Sequence, residues 1–223
     1  MRRSRFPDPR DANEDGIVAL GGSLDPETLL DAYRHGIFPW PFGERYVVPW
    51  VSPAVRAVLD FDRLHIPRSL ARERRRAQFH FTFDRDFESV IKACAVAPRS
   101  EGPGTWITRG MIRGYTSLHR LGHAHSVEVW EGETLVGGMY GVDAGGAFAG
   151  ESMFYLRPNA SKLALLHLVE HLRTRGLEWL DVQVLTPHIA ALGAIGISRE
   201  EFLERLAETR ARGLVLFPRA ATE

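Results

Sequence analysis

The sequence predicts an α/β (α+β) fold. A small N-terminal domain, residues 1–62, precedes a larger C-terminal domain, residues 63–223, in which a mixed, largely antiparallel sheet is flanked by helices. Three observations lead there. Pro39, Pro41, Pro49 and Pro53 crowd one early stretch, which biases it to extended backbone. The run HSVEVWEGETLVGGMYGVDAGGAFAGESMF alternates strand-like segments with Gly-containing turns, as an antiparallel meander does. Helix-period apolar stripes stand on either side of it, from Met111 to Leu118 and from Leu163 to Leu172.

Taken in order, residues 1–16 are polar and read as an irregular lead-in. Asp25 is an N-cap with Pro26 at the first helical position, Leu29, Leu30 and Tyr33 form an apolar face, and Gly36 ends the helix. Extended loop and short strand follow to Pro53, and VRAVLDFD continues as a strand. This unit is too small for a large core of its own and should pack on the remainder. Arg68–Ala77 is a short basic helix, Phe79–Phe83 a strand, Phe87–Ala95 a helix, and PRSEGPG a loop. Thr108 caps a helix carrying Met111, Ile112, Tyr115 and Leu118, stopped at Gly122. After the meander, Asn159 caps a helix that buries Leu163, Leu166, Val169 and Leu172 and closes at Gly176. LEWLDVQVL is the next strand, and Ser198 with Glu201 makes a capping box for the last long helix. Helix, meander, helix, strand is the layout of the N-acyltransferase fold, but a fold does not fix a function.

Composition excludes several classes. No apolar run is long enough to span a bilayer, and the N-terminus lacks the apolar core of a signal peptide. Cys94 is alone, which rules out an internal disulfide framework and suits a reducing cytoplasm. The formal net charge is zero, so no global field draws a polyanion. The basic charge is local instead: six arginines fall between Arg63 and Arg76, against Glu73 alone. With no heptad pattern, a monomer is expected.

Two strand-like runs carry polar groups. FAGESMFYLRPNASK holds Glu151, and LDVQVLTPHIAALGA holds Asp181 and Gln183, which face one side of a strand because they are two apart. Polar groups directed at a core cost several kcal/mol unless paired, so a polar pocket where strand ends meet is the simplest account. On the residues alone, a salt bridge to a neighbour such as Arg157 is the favoured reading for Glu151, and Asp181 could cap a turn. His119, His123 and His125 match no standard zinc spacing, and no metal is expected.

The strings LLDAYRHGIFPW, WVSPAVRAVL, GTWITRGMIRGYTSLHRLGHAHSVEVW, LVGGMYGV, GESMF, NASK and LDVQV, with the later H and LGA, occur in an order that resembles the leucyl/phenylalanyl-tRNA–protein transferases from about Ile17 to the final helix. The chain departs from the family pattern at Ser23, Val51, Ala54, Val55 and Val182; Val182 points away from Asp181 and Gln183 and should not touch the polar site. The resemblance implies a small N-terminal domain joined to an acetyltransferase-like one. It also implies transfer of Leu, Phe or sometimes Met from aminoacyl-tRNA to proteins beginning with Arg or Lys, which marks them for degradation.

It further implies roles for residues. It puts help for the acceptor amine at Asp181 and Gln183, with Glu151 close by; because Gln183 cannot titrate usefully, it is expected to orient the amine, and Asp181 or Glu151 to draw the proton. Met139, Phe148 and Trp106 line or flank a slot for the donor side chain, and Trp40 offers a stacking face to the terminal adenosine. Met153 is expected in ordinary core packing. Arg68, Arg72, Arg75 and Arg76 recur at helical spacing and are the expected tRNA phosphate contacts. Asn159 to Lys162 open a helix whose amides could hold an anion, with capping the safer role for Asn159. No cofactor is expected, because an aminoacyl ester is already activated. Two other classes compete. An acetyl-CoA-dependent N-acetyltransferase would need a phosphate-cradling Gly-rich turn where this chain has FYLRPNASK, and a non-catalytic tRNA-binding module would have no use for the polar trio.

Overall fold

The computed structural model describes residues 4–41, 47–76, 78–98 and 106–218. The loop expected at 98–104 lies, from Arg99 on, outside the described residues, as does Ala77 at the end of the basic helix. Two sheets form. The small one is antiparallel, in the order β1 (Ile17–Leu20), β3 (Pro49–Val51), β2 (Phe38–Pro39), with Val51 opposite both Ile17 and Phe38. The large one has seven strands in the order β10 (Ile195–Ser198), β4 (Val55–Asp60), β9 (Trp179–Gln183), β8 (Phe148–Tyr155), β7 (Thr134–Asp143), β6 (Ala124–Glu131), β5 (Phe79–Phe83). Every neighbouring pair is antiparallel except β8 with β9. The mixed, largely antiparallel sheet is therefore the one the sequence predicts.

β4 sits differently from its expectation. The sequence groups it with the first 62 residues, whereas its backbone pairs with β9 and β10 in the large sheet. The physical reason lies in its burial: Arg56, Ala57, Val58 and Leu59 are all buried, so the strand has no exposed face to offer a small sheet.

Helices cover both faces. α5 (Ala160–Thr174) packs on β6, β7 and β8, burying Leu163, Leu166, Val169 and Leu172 against Val127, Val129 and Met139. On the other face α3 (Phe87–Val96) and α4 (Arg109–Arg120) meet the sheet, and α1 (Pro26–Arg34) packs on α4; Leu29, Tyr33, Met111, Tyr115 and Leu118 form this core with Trp50 of the small sheet. α7 (Arg199–Ala211) closes the β10–β4 end through Phe202 and Leu206, against Val58 and Trp179. α2 (Arg68–Arg76) and the four-residue α6 (Pro187–Ala190) complete the set among the described residues.

The expected caps form at Asp25, Thr108 and Ser198, which accept from the amides of Thr28, Met111 and Glu201 at 2.9, 3.2 and 3.2 Å. Asn159 does not cap: its left-handed φ of 66° accompanies a side chain that makes no bond to the first amides of α5. Gly36, after α1, has φ 75°, and a Cβ there would lie 2.6 Å from Leu203 Cδ2. Only glycine satisfies both conditions.

β8 and β9 are joined by α5, the crossover that parallel neighbours require. They share one registered pair, Ala149 opposite Asp181. Beyond it the strands part, and Glu151 and Gln183 stand on the two sides of the opening.

Candidate active site

Asp181 is held from behind. Arg56 on β4 donates from Nε to Oδ1 at 2.8 Å and from Nη2 to Oδ2 at 2.7 Å. Arg56 is 1% exposed and Asp181 5%, so the pair is dry. The guanidinium lies between two rings, 4.5 Å from Phe38 and 4.4 Å from Phe202, and Nη1 donates to the Gly36 carbonyl at 3.2 Å. The fork thus meets both carboxylate oxygens while its faces meet aromatic rings, an environment lysine could not fill. Asp181 Oδ1 also accepts from the Gln183 amide at 2.9 Å.

That last bond fixes an unusual backbone. Gln183 has φ 62°, and the Val184 amide donates to the Val182 carbonyl at 2.7 Å. This is a three-residue turn with positive φ at its centre, a rare and strained form. The turn ends β9 and aims the Gln183 amide group across the opening, where Nε2 donates to Glu151 Oε1. Tyr115 of α4 donates to Glu151 Oε2 at 3.2 Å, and the Tyr33 and Tyr115 hydroxyls bond to one another. A continuous network therefore runs Arg56–Asp181–Gln183–Glu151–Tyr115–Tyr33.

Burial dominates the electrostatics of Glu151. It raises the carboxyl from its ordinary value to about 7, with the charge of Asp181 adding, while hydrogen bonds from Tyr33, Gln183 and Tyr115 pull the other way. Burial and the nearby Glu151 charge push both tyrosine hydroxyls well up, so they remain donors. The bridge to Arg157 that the residues alone favour does not form: Arg157 bonds Glu131 at 3.0 Å.

Beside Glu151 the parted strands leave a cavity of about 240 Å³, mostly apolar, bounded by Met139, Met153, Leu165, Leu180, Val182 and Ile189, with Val184, Thr186 and His188 completing the β9–α6 side. The residues expected around the slot divide here. Met153 packs against the core, as expected, and also borders the cavity. Val182 does point away from Asp181, but that side is the cavity wall, which Glu151 also borders. Phe148 is buried one layer behind Met139 and does not reach the cavity. Trp106 and Trp40 stand elsewhere, stacked on each other at 5.8 Å and 7°. They connect to the network through Phe38, whose ring is 5.7 Å from Trp40 and beneath Arg56.

Sequence reading missed Arg56, Tyr33 and Tyr115. Arg56 had a signal, a charge inside the apolar run VRAVL. The tyrosines had none, since each fits an apolar helical stripe. On α2 the arginines divide: Arg74 bonds Glu170 at 2.6 Å, while Arg68, Arg72, Arg75 and Arg76 are exposed, opposite the buried Leu70. His119 stacks on Phe87 at 4.4 Å, and His125 Nδ1 lies 2.6 Å from Asp84 Oδ2. No cluster of three metal-binding side chains occurs among the described residues.

Comparison with known proteins bears on this geometry. Residues 58–207 match the family model for leucyl/phenylalanyl-tRNA protein transferase, and residues 22–54 match the model for its N-terminal domain. A leucyl/phenylalanyl-tRNA–protein transferase of Anaeromyxobacter sp. (strain Fw109-5) is 52% identical over 211 residues, covering 95% of this chain and 89% of the relative. The counterpart of Maridesulfovibrio salexigens is 49% identical over 91% of this chain and 85% of its own length. That of Pseudomonas fluorescens (strain Pf0-1) is 50% identical over 89% and 86%.

Proposed function

Because the chain belongs to the leucyl/phenylalanyl-tRNA–protein transferase family, we propose that the Glu151–Gln183 pair at the parting of β8 and β9 is where its reaction takes place. The enzyme moves an aminoacyl group, leucyl or phenylalanyl, from tRNA to the N-terminus of a protein beginning with Arg or Lys. The acceptor's α-amine attacks the ester carbonyl carbon. The new C–N bond forms, the C–O bond to the tRNA ribose breaks, the amine loses one proton and the ribose oxygen gains one. The ester is already activated, so no ATP is consumed. The amine has a reference pKa near 8, so a sizeable minority is neutral at pH 7 and modest base assistance suffices.

Glu151 accepts the amine's proton and passes it to the departing oxygen, a task suited to a carboxyl near pKa 7. Gln183 orients it. Asp181 is a positioning residue, since both its oxygens are taken by Arg56 and one also holds the Gln183 amide. The 240 Å³ cavity receives the donor side chain: Met139 and Met153 adapt to leucine, phenylalanine and, on this reading, methionine. The terminal adenosine extends the Trp40–Trp106 stack, an interaction worth about 1–3 kcal/mol. The exposed arginines of α2 hold tRNA phosphates, and the enzyme works as a monomer in the cytoplasm, its products destined for proteolysis.

The observation that carries this reading is the hydrogen bond from Gln183 to Glu151 at the mouth of an apolar cavity. Labelled leucyl-tRNA and an Arg-starting peptide, without ATP or CoA, test it. Glu151→Gln should slow transfer by about 10²-fold or more at saturating tRNA. A full rate in that variant removes Glu151 from the chemistry.

A further inference from the structure

We infer that Phe217, on the segment following α7, sets the depth of the donor pocket and so determines which donor is preferred. The inference rests on reading the 240 Å³ cavity as that pocket. Met139 forms its wall and is also part of a second enclosure behind it, where Gly141, Phe148, Leu168, His125 and Phe217 meet. That enclosure has no room for a water molecule. Its filling is aromatic. The Phe217 ring lies 3.8 Å from His125 at 9° and 4.8 Å from His171 at 29°, and its centre is 5.6 Å from that of Phe148. The segment is pinned as well as packed: Leu216 is fully buried, and its carbonyl lies 2.9 Å from His171 Nε2, which donates to it.

Methionine is unbranched and yields readily when space is available. Behind Met139 there is none: Phe148 stands there, and the Phe217 ring backs Phe148 and closes the enclosure. A phenylalanyl donor, longer than a leucyl one, asks more of Met139. Phe217 therefore penalises the longer donor without touching either, and it stands apart from the Glu151 network.

Phe217→Ala and Phe217→Leu, each checked for cooperative unfolding, should be assayed with phenylalanyl-tRNA and leucyl-tRNA in competition, with Met139→Ala in parallel. Loss of the ring should shift the ratio of kcat/KM values toward phenylalanine, by about tenfold in the alanine variant and less in the leucine variant. Simple destabilisation would lower both rates together and leave the ratio alone. If the alanine variant does not fold, the leucine variant decides. A ratio within about twofold of the parent's, beside a shifted ratio in Met139→Ala, overturns the role of Phe217 alone. An unshifted ratio in all three variants overturns the pocket reading and this inference with it.

Discussion

Glu151 carries a cost that pH can reveal. Its folded-state carboxyl titrates near 7, above the unfolded value of 4.5. Between those values the folded protein keeps a proton that the unfolded chain releases, so folding stability falls as pH rises through the window. The full effect is roughly 3 kcal/mol, complete above pH 7 and absent below 4.5. Glu151→Gln should remove it. Urea midpoints at pH 5 and pH 8 should therefore converge in the variant relative to the parent, and an identical pH dependence in both proteins would contradict the buried titration. The same residue shows how far sequence reaches. A carboxylate inside FAGESMF was visible as an anomaly, but its partners were not, because Tyr33 and Tyr115 come from other elements and look like ordinary core residues. Asp181 and Gln183 lie two apart in sequence, yet their separate contacts depend on a turn at Gln183 that strand periodicity does not predict.

At the scale of elements, caps and stripes made most helices legible, and turn glycines did the same for the meander. The misses were short or non-local. β1 and β10 have four residues each, α6 also has four, and the placement of β4 was decided by partners more than a hundred residues away. α2 was readable in both location and face. Its outward arginines should hold phosphates, so changing Arg72 and Arg75 together to alanine should weaken tRNA binding. The slope of log K against log salt should also flatten, by about one unit for each phosphate released. A double variant with the parent's slope would assign α2 to solvent alone.

For the whole molecule, Arg56 is the junction. It touches Phe38 of the small sheet, the end of α1 through Gly36, Phe202 of α7 and Asp181 of β9. Arg56→Ala would strand a buried carboxylate at a cost of about 3–5 kcal/mol. Because Asp181 holds Gln183 in place, transfer should slow as well, and Arg56→Lys should not restore it. Chemical denaturation and single-turnover rates measure the two effects; an alanine variant of parental stability would mean that Asp181 finds another partner. The fold class was legible because the sheet repeats a local pattern. The junction was not, because it joins four elements scattered along the chain.

That reach through the chain has a temporal side. Arg56 and Asp181 are separated by 125 positions. On a translating ribosome adding about 5–20 residues per second, the guanidinium emerges roughly ten seconds before its counter-ion exists. During that interval the guanidinium lacks the carboxylate that it holds in the folded chain. Nascent fragments that lack β9 therefore cannot form the Arg56–Asp181 junction beside the two sheets.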